Sequence, residues 1–164
     1  MLLPRPLSRA IDHVPLGVVQ RLVDAVFHRA LQQHPDLFDR LGSQAEKSFR
    51  FTPADLDLSF VIHPARRTIR AYRKDKAPPV SSAVSGPLLM LLALLEGRID
   101  GDAVFFSRSL TVTGDMEAML ALRNGLDDCG FDLPADLSGL AGPFAQPFRR
   151  VGELVRQRAL VGIV

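Results

Sequence analysis

The sequence has no tryptophan, one tyrosine and one cysteine in 164 residues. A single cysteine, Cys129, excludes a disulfide framework and fits a reducing cytoplasm. Long apolar runs are missing too. The longest, Leu88–Leu95, spans eight residues, against the ~20 that a membrane-crossing helix needs. The opening MLLPRPLSRA carries Pro4 and Pro6 and no apolar stretch of signal-peptide length, so no export signal is expected. Absent as well are a glycine-rich phosphate loop, a dinucleotide-binding turn and a G-x-S-x-G nucleophile elbow. His13, His28, His34 and His63 are scattered, with no two at helical metal-pair spacing, so no metal site is expected. Cys129 stands beside Asp127 and Asp128, whose charges oppose thiolate formation, and it reads as structural. Asp55 and Asp57 share one face of an alternating run, but it is the polar face and reads as solvated. Asp100 and Asp102 begin a calcium-like spacing that lacks its later ligands. Neither catalysis nor an inorganic cofactor is expected.

What is present is ordinary globular material, 47% apolar and 23% charged. A chain of this length can bury roughly 70% of its unfolded surface in one domain without a metal or disulfide staple. The net charge is only +2, but its distribution is blocky. Residues 66–76, RRTIRAYRKDK, hold six basic side chains and one acid. Residues 77–136 hold three arginines against nine acids, and 137–164 hold Arg149, Arg150, Arg156 and Arg158 against Glu153. The basic block reads as a solvated hairpin. With only Tyr72 among its cations it lacks the stacking platforms that nucleic acid would require, so no nucleic-acid partner is expected.

Periodicity organises the chain. Residues 1–15, with Pro4, Pro6 and Pro15, read as an extended leader. Val19, Leu22, Val23, Val26, Phe27, Ala30 and Leu31 recur at helical spacing and predict an amphipathic helix over about 16–34. Between 46 and 85 the period becomes two. Phe49 and Phe51, then Leu56, Leu58, Phe60 and Ile62, then Ile69 and Ala71 alternate with polar residues, and PVSSAVSG follows. Four short strands with hairpin-length links predict an antiparallel meander. After Gly86-Pro87 an almost wholly apolar helix runs to Glu96, and SLTVTG reads as a fifth strand. Asp115 is a predicted helix N-cap for a helix over 115–128 with the stripe Met116, Met119, Leu120 and Leu126. Residues 131–164 read as an irregular connection and a final amphipathic helix. The apolar capacity suits a core, and its methionines also suit an irregular apolar ligand.

The segment DGDAVFFSRSLTVTGDMEAMLALRNGLDD, preceded by VSSAVSGPLLMLLALLEGRID, resembles the sterol carrier protein 2 (SCP2) family. The pattern FF-x-R-x-L-x-x-x-GD, from Phe105 to Asp115, is similar to the branch called UbiT, accessory factors of oxygen-independent ubiquinone biosynthesis. The resemblance covers about residues 16–130 and implies an α+β fold: a five-stranded, largely antiparallel sheet with helices packed on it and an apolar lipid tunnel. The implied lining is Leu88, Leu92, Phe105, Phe106, Leu110, Met116, Met119 and Leu120. Met119 and Phe106 are expected to face the cavity. The implied ligands are lipid or polyprenyl quinone intermediates, and the implied partners are the hydroxylases and methyltransferases of that biosynthesis. A scaffold that assembles those enzymes without carrying lipid is the competing reading. The basic residues Arg149, Arg150, Arg156 and Arg158 before the apolar Leu160–Val164 suggest peripheral contact with the inner membrane from the cytoplasm. Packing of the same helix on the sheet, or pairing in a homodimer, is the alternative.

Overall fold

In a computed structural model of the protein, residues 2–95 and 109–130 are described. The chain opens with helix α1 (Arg5–Asp12), not with the extended leader expected from its prolines. Pro4 occupies the N-cap position and Pro6 lies in the first turn, where a missing N–H costs no hydrogen bond. Helix α2 (Leu16–Gln33) matches the predicted amphipathic helix, and a 3-10 segment (Asp39–Glu46) follows.

The strands β1 (Phe49–Pro53), β2 (Ser59–His63), β3 (Thr68–Tyr72), β4 (Ser82–Gly86) and β5 (Thr111–Gly114) form one sheet in the order β3-β2-β1-β4-β5. The β1–β2, β2–β3 and β4–β5 pairs are antiparallel, whereas β1 and β4 run parallel. The meander therefore stops at β3. Residues 73–81, with a 3-10 turn at Lys74–Lys76 and two prolines, are too long for a hairpin and carry the chain back to the far side of β1. Arg50 donates to the Pro78 carbonyl at 3.3 Å, so this link crosses the sheet face that Arg50 shares with Val61. Val61 and Ala83 are buried on that face.

The opposite face is apolar. Register places Phe49 beside Ile62, Phe51 beside both Phe60 and Val84, Phe60 beside Ala71, and Val84 beside Val112. The face assignment for β2 is partly corrected: Leu56 and Leu58 are buried but lie in the turn before the strand, which starts at Ser59. Helix α3 (Leu88–Leu95) and helix α4 (Met116–Cys129) complete the main core, which joins Phe49, Phe51, Val84, Leu91, Leu94, Met119 and Leu122 to Leu37, Phe38 and Leu41. A second cluster, Val19, Leu56, Leu58 and Ala71, lies under α1 and α2 with Phe60 and Leu88 packed against it. Each fully buried Leu or Phe contributes about 1.5–3 kcal/mol.

At one corner three elements start together. Ser81 and Ser82 both donate their amides to the Ser48 carbonyl at 3.1 Å, and the Asp115 amide donates to the Ser81 carbonyl at 2.9 Å. The Ser82 hydroxyl donates to the Asp115 carbonyl at 2.6 Å. The Asp115 carboxylate caps α4 by accepting the Ala118 amide at 3.0 Å, and it also pairs with Lys47. The lysine bond, the amides at the helix start and the nearby positive charge hold the Asp115 carboxyl below its ordinary 3.8. Gly114 sits at φ 86°, and a Cβ there would come within 2.3 Å of the Ser81 carbonyl oxygen.

Gly114→Ala combines left-handed strain with that backbone clash and is expected to cost at least ~2 kcal/mol in urea unfolding. Gly130→Ala, at φ 60° with open space around it, should cost only ~1 kcal/mol. Because the folded Asp115 carboxyl titrates below the unfolded one, its charge stabilises the fold above the ordinary carboxylate range and stops doing so as pH falls through the folded value. Asp115→Asn should therefore lower the urea midpoint at pH 7, with the two proteins converging as the pH falls through the lowered range of the folded carboxyl.

Candidate functional site

The apolar residues expected to form one lining are distributed over three environments. Leu110 and Met119 belong to the main core, Met119 at 4% exposure. Leu88 is half-buried against the second cluster, near Leu56 and Val19, and Leu92 is half-buried on α3. Met116 and Leu120 are 57% and 51% exposed. Phe105 and Phe106 lie outside the described residues, as do Arg149, Arg150, Arg156 and Arg158.

The stripe on α4 needs correcting in phase. Its buried positions are Ala118, Met119, Leu122, Gly125 and Leu126. At about 100° per residue, Met116 and Leu120 project from the far side of that arc. Ala118 and Gly125 are the small residues of that buried side, and a Cβ at 125 would stand 3.5 Å from the Leu37 carbonyl, in ordinary van der Waals contact. The exposed pair, one turn apart, forms an apolar ridge on the outer side of α4. Leu110 precedes β5 and is buried as the chain enters the sheet.

Two clefts on the described surface carry polar linings and touch none of these residues. One, about 220 Å³, lies by the 3-10 segment and is lined by Glu46, Ser48, His63, Arg66 and Ser81 among others. The second, about 460 Å³, opens between α2 and the β2–β3 hairpin, where Gln20, Asp24 and His28 face Arg66, Arg67 and Arg70. Composition shows these hairpin cations as a solvated block and gives no sign of what lies opposite them. Their convergence with α2 depends on that helix lying along β3. The Gln20 amide makes the junction: its Nε2 donates to the Ile69 carbonyl at 2.9 Å, and its Oε1 accepts the Ala71 amide at 2.7 Å.

The carboxylates are engaged in holding the chain. Asp55 and Asp57 lie in the β1–β2 turn and not on a strand face. Asp55 accepts the Leu3 amide on one oxygen at 2.8 Å and the Leu88 amide on the other at 2.9 Å. The Asp57 amide donates to the Asp12 carboxylate at 2.8 Å. Burial pushes the Cys129 thiol up, with Asp36 and Asp128 adding to it and Arg40 opposing. Among the described residues no three His, Cys, Asp or Glu side chains gather in metal-ligating range, and no helix is long and apolar enough to cross a membrane.

The two sides of α4 should respond oppositely to substitution. Met119→Ala removes packed core and is expected to cost about 2–5 kcal/mol. Leu120→Ser, on the outer ridge, should change stability by less than ~0.5 kcal/mol. Urea unfolding of both variants at one pH measures the contrast. Equal losses would place the ridge inside the core.

The family model of the SCP-2 sterol transfer family matches residues 27–127. No protein of curated function matches. Among solved structures, the chain is similar to a UbiJ-SCP2 ubiquinone synthesis protein, with TM-score 0.58 and 19% identity over 73% of this chain and 98% of that one. The apo sterol carrier protein 2 of Yarrowia lipolytica aligns with TM-score 0.49 and 14% identity over 70% of this chain and 94% of that one. A further sterol carrier protein 2 crystal structure gives TM-score 0.48 and 15% identity over 66% and 92%. The family match begins in α2, takes in every strand of the sheet and ends in the last turn of α4: the chain belongs to the SCP-2 sterol transfer family.

Proposed function

We propose that this protein is a non-catalytic lipid-binding accessory factor of ubiquinone biosynthesis, which holds an isoprenoid quinone precursor or a phospholipid for water-soluble partner enzymes. The family match over residues 27–127 carries the reading. The fold shared with a UbiJ-SCP2 ubiquinone synthesis protein over 98% of that chain supports the pathway. The FF-x-R-x-L-x-x-x-GD segment from Phe105 to Asp115 supports the oxygen-independent branch to which UbiT belongs. The physical need is plain: each CH₂ of a polyprenyl tail costs ~0.8 kcal/mol in water, so hydroxylases and methyltransferases meet such a substrate only on a carrier or at a bilayer.

The apolar surfaces suit this role. Helix α3 is apolar along its whole length and bridges the two clusters: Leu91 and Leu94 lie in the main core while Leu88 contacts the second. Met116 and Leu120 offer an exposed ridge beside it, and a methionine can follow an irregular chain. Loading from the inner membrane is assigned to the basic C-terminal stretch with Arg149, Arg150, Arg156 and Arg158.

Organic extraction of the purified full chain followed by mass spectrometry tests the proposal. The expected result is an isoprenoid quinone precursor or phospholipid at about one equivalent per chain, diminished in Met116→Ser/Leu120→Ser. Protein that stays lipid-free after incubation with vesicles containing such precursors, yet still co-purifies with the biosynthetic enzymes, would replace the carrier reading with a scaffold.

A further inference from the structure

The cleft between α2 and the β2–β3 hairpin has a composition that the lipid-carrier reading does not use. Its walls carry three guanidinium groups, on Arg66, Arg67 and Arg70, against the single carboxylate of Asp24. Asp24 is already committed, accepting the Gln20 Nε2 at 2.8 Å on the same helix. The side chains of Arg66 and Arg70 make no hydrogen bond or ion pair with another described residue, while Arg67 is oriented by donating to the Pro35 carbonyl. His28 uses Nδ1 on the Asp24 carbonyl at 2.8 Å, which leaves Nε2 unused. Like charges on one turn repel unless a counter-charge sits among them, so three cations around one concavity hold it open for an anion.

The backbone supports the same conclusion. Arg67 is the one non-glycine residue with positive φ among the described residues, at 52°. It closes the β2–β3 turn, where its amide donates to the Pro64 carbonyl at 2.9 Å. Glycine or asparagine would fill that position without strain. An arginine there carries a conformational cost and places its guanidinium in the wall of the same cleft as Arg66.

We propose that this cleft, about 460 Å³ in volume, binds a phosphate-type oxyanion, with the guanidinium groups of Arg66 and Arg70 as the principal donors and Arg67 as the third. The planar fork of arginine presents two parallel N–H groups to two oxygens, the geometry that phosphate and phosphate esters accept. The volume admits a phosphate with a small organic substituent, and the open mouth leaves room for a longer one. The site stands on α2 and the hairpin, away from Met116 and Leu120, and does not depend on what occupies the apolar surfaces.

Titration of the ¹⁵N-labelled full chain with inorganic phosphate, at ionic strength held constant with sodium chloride, tests it. Saturable amide shifts confined to Thr68, Ile69 and the turn are expected, weakened at least tenfold in Arg66→Gln/Arg70→Gln. Both side chains are exposed, so the melting temperature should not move. Arg66→Lys/Arg70→Lys keeps the charge without the fork and should retain part of the affinity. Two further probes separate the sources of the phosphate. Saturable binding of glycerol 3-phosphate without retention on phosphatidic acid vesicles would identify a soluble phosphate ester. Retention on those vesicles, lost in Arg66→Gln/Arg70→Gln and absent from phosphatidylcholine, would identify a lipid head group. Shifts that sodium chloride alone reproduces, or equal binding by wild type and Arg66→Gln/Arg70→Gln, would overturn the site.

Discussion

The carbonyl oxygen of Ser81 can accept the Asp115 amide only because residue 114 has no Cβ, which would stand 2.3 Å from that oxygen. That approach decides where α4 begins, and therefore which of its sides meets the sheet. The same few residues hold the central parallel pair in register, since Ser81 and Ser82 hang from the Ser48 carbonyl at the first turn of β1. A parallel pair lacks a hairpin to align it and needs such a device. Here polar main-chain contacts at one end of β1 and β4 replace the missing turn. The apolar core is then assembled on a frame whose geometry is set by hydrogen bonds.

Much of the architecture was legible from residue spacing. The amphipathic α2, the apolar α3, five strands and the Asp115 cap all correspond to what the periodicities predict. Less legible was which strand lies beside which. Alternation shows that a segment is extended but says nothing of its neighbour, so β4 reads like another turn of a meander when it lies parallel to β1. Pro78 and Pro79 in the preceding link were the available sign. Helix α1 is hidden by its prolines, which read as breakers although the first turn of a helix tolerates them.

The site was harder to read for a related reason. Sorting α4 by hydrophobicity picks Met116 and Leu120, because they are large; the buried side is instead marked by Ala118 and Gly125, which are small. Close packing selects for size as well as for apolarity. Polar residues with structural tasks were invisible in the same way. Gln20 looks like solvent-facing helix, yet its amide closes the open side of β3, and Asp55 looks like surface, yet its two oxygens tie Leu3 and Leu88 together. The basic block 66–76 was evident from composition, but the concavity it lines is made by α2, some forty residues earlier in the chain.

The seal that Gln20 makes on β3 also has a consequence in time. The helix is complete at residue 33, and the strand it covers ends at residue 72. At a synthesis rate of about 5–20 residues per second, some 2–8 seconds pass between the emergence of the two. Throughout that interval the apolar side of α2, with Val19 and Val23, has no sheet to rest on, and the growing chain displays it on the ribosome. In the folded chain Gln20 occupies the Ile69 carbonyl and the Ala71 amide, so the strand edge that could recruit a neighbouring nascent chain is covered once α2 has docked. The helix that covers the β3 edge is thus made before the strand it covers.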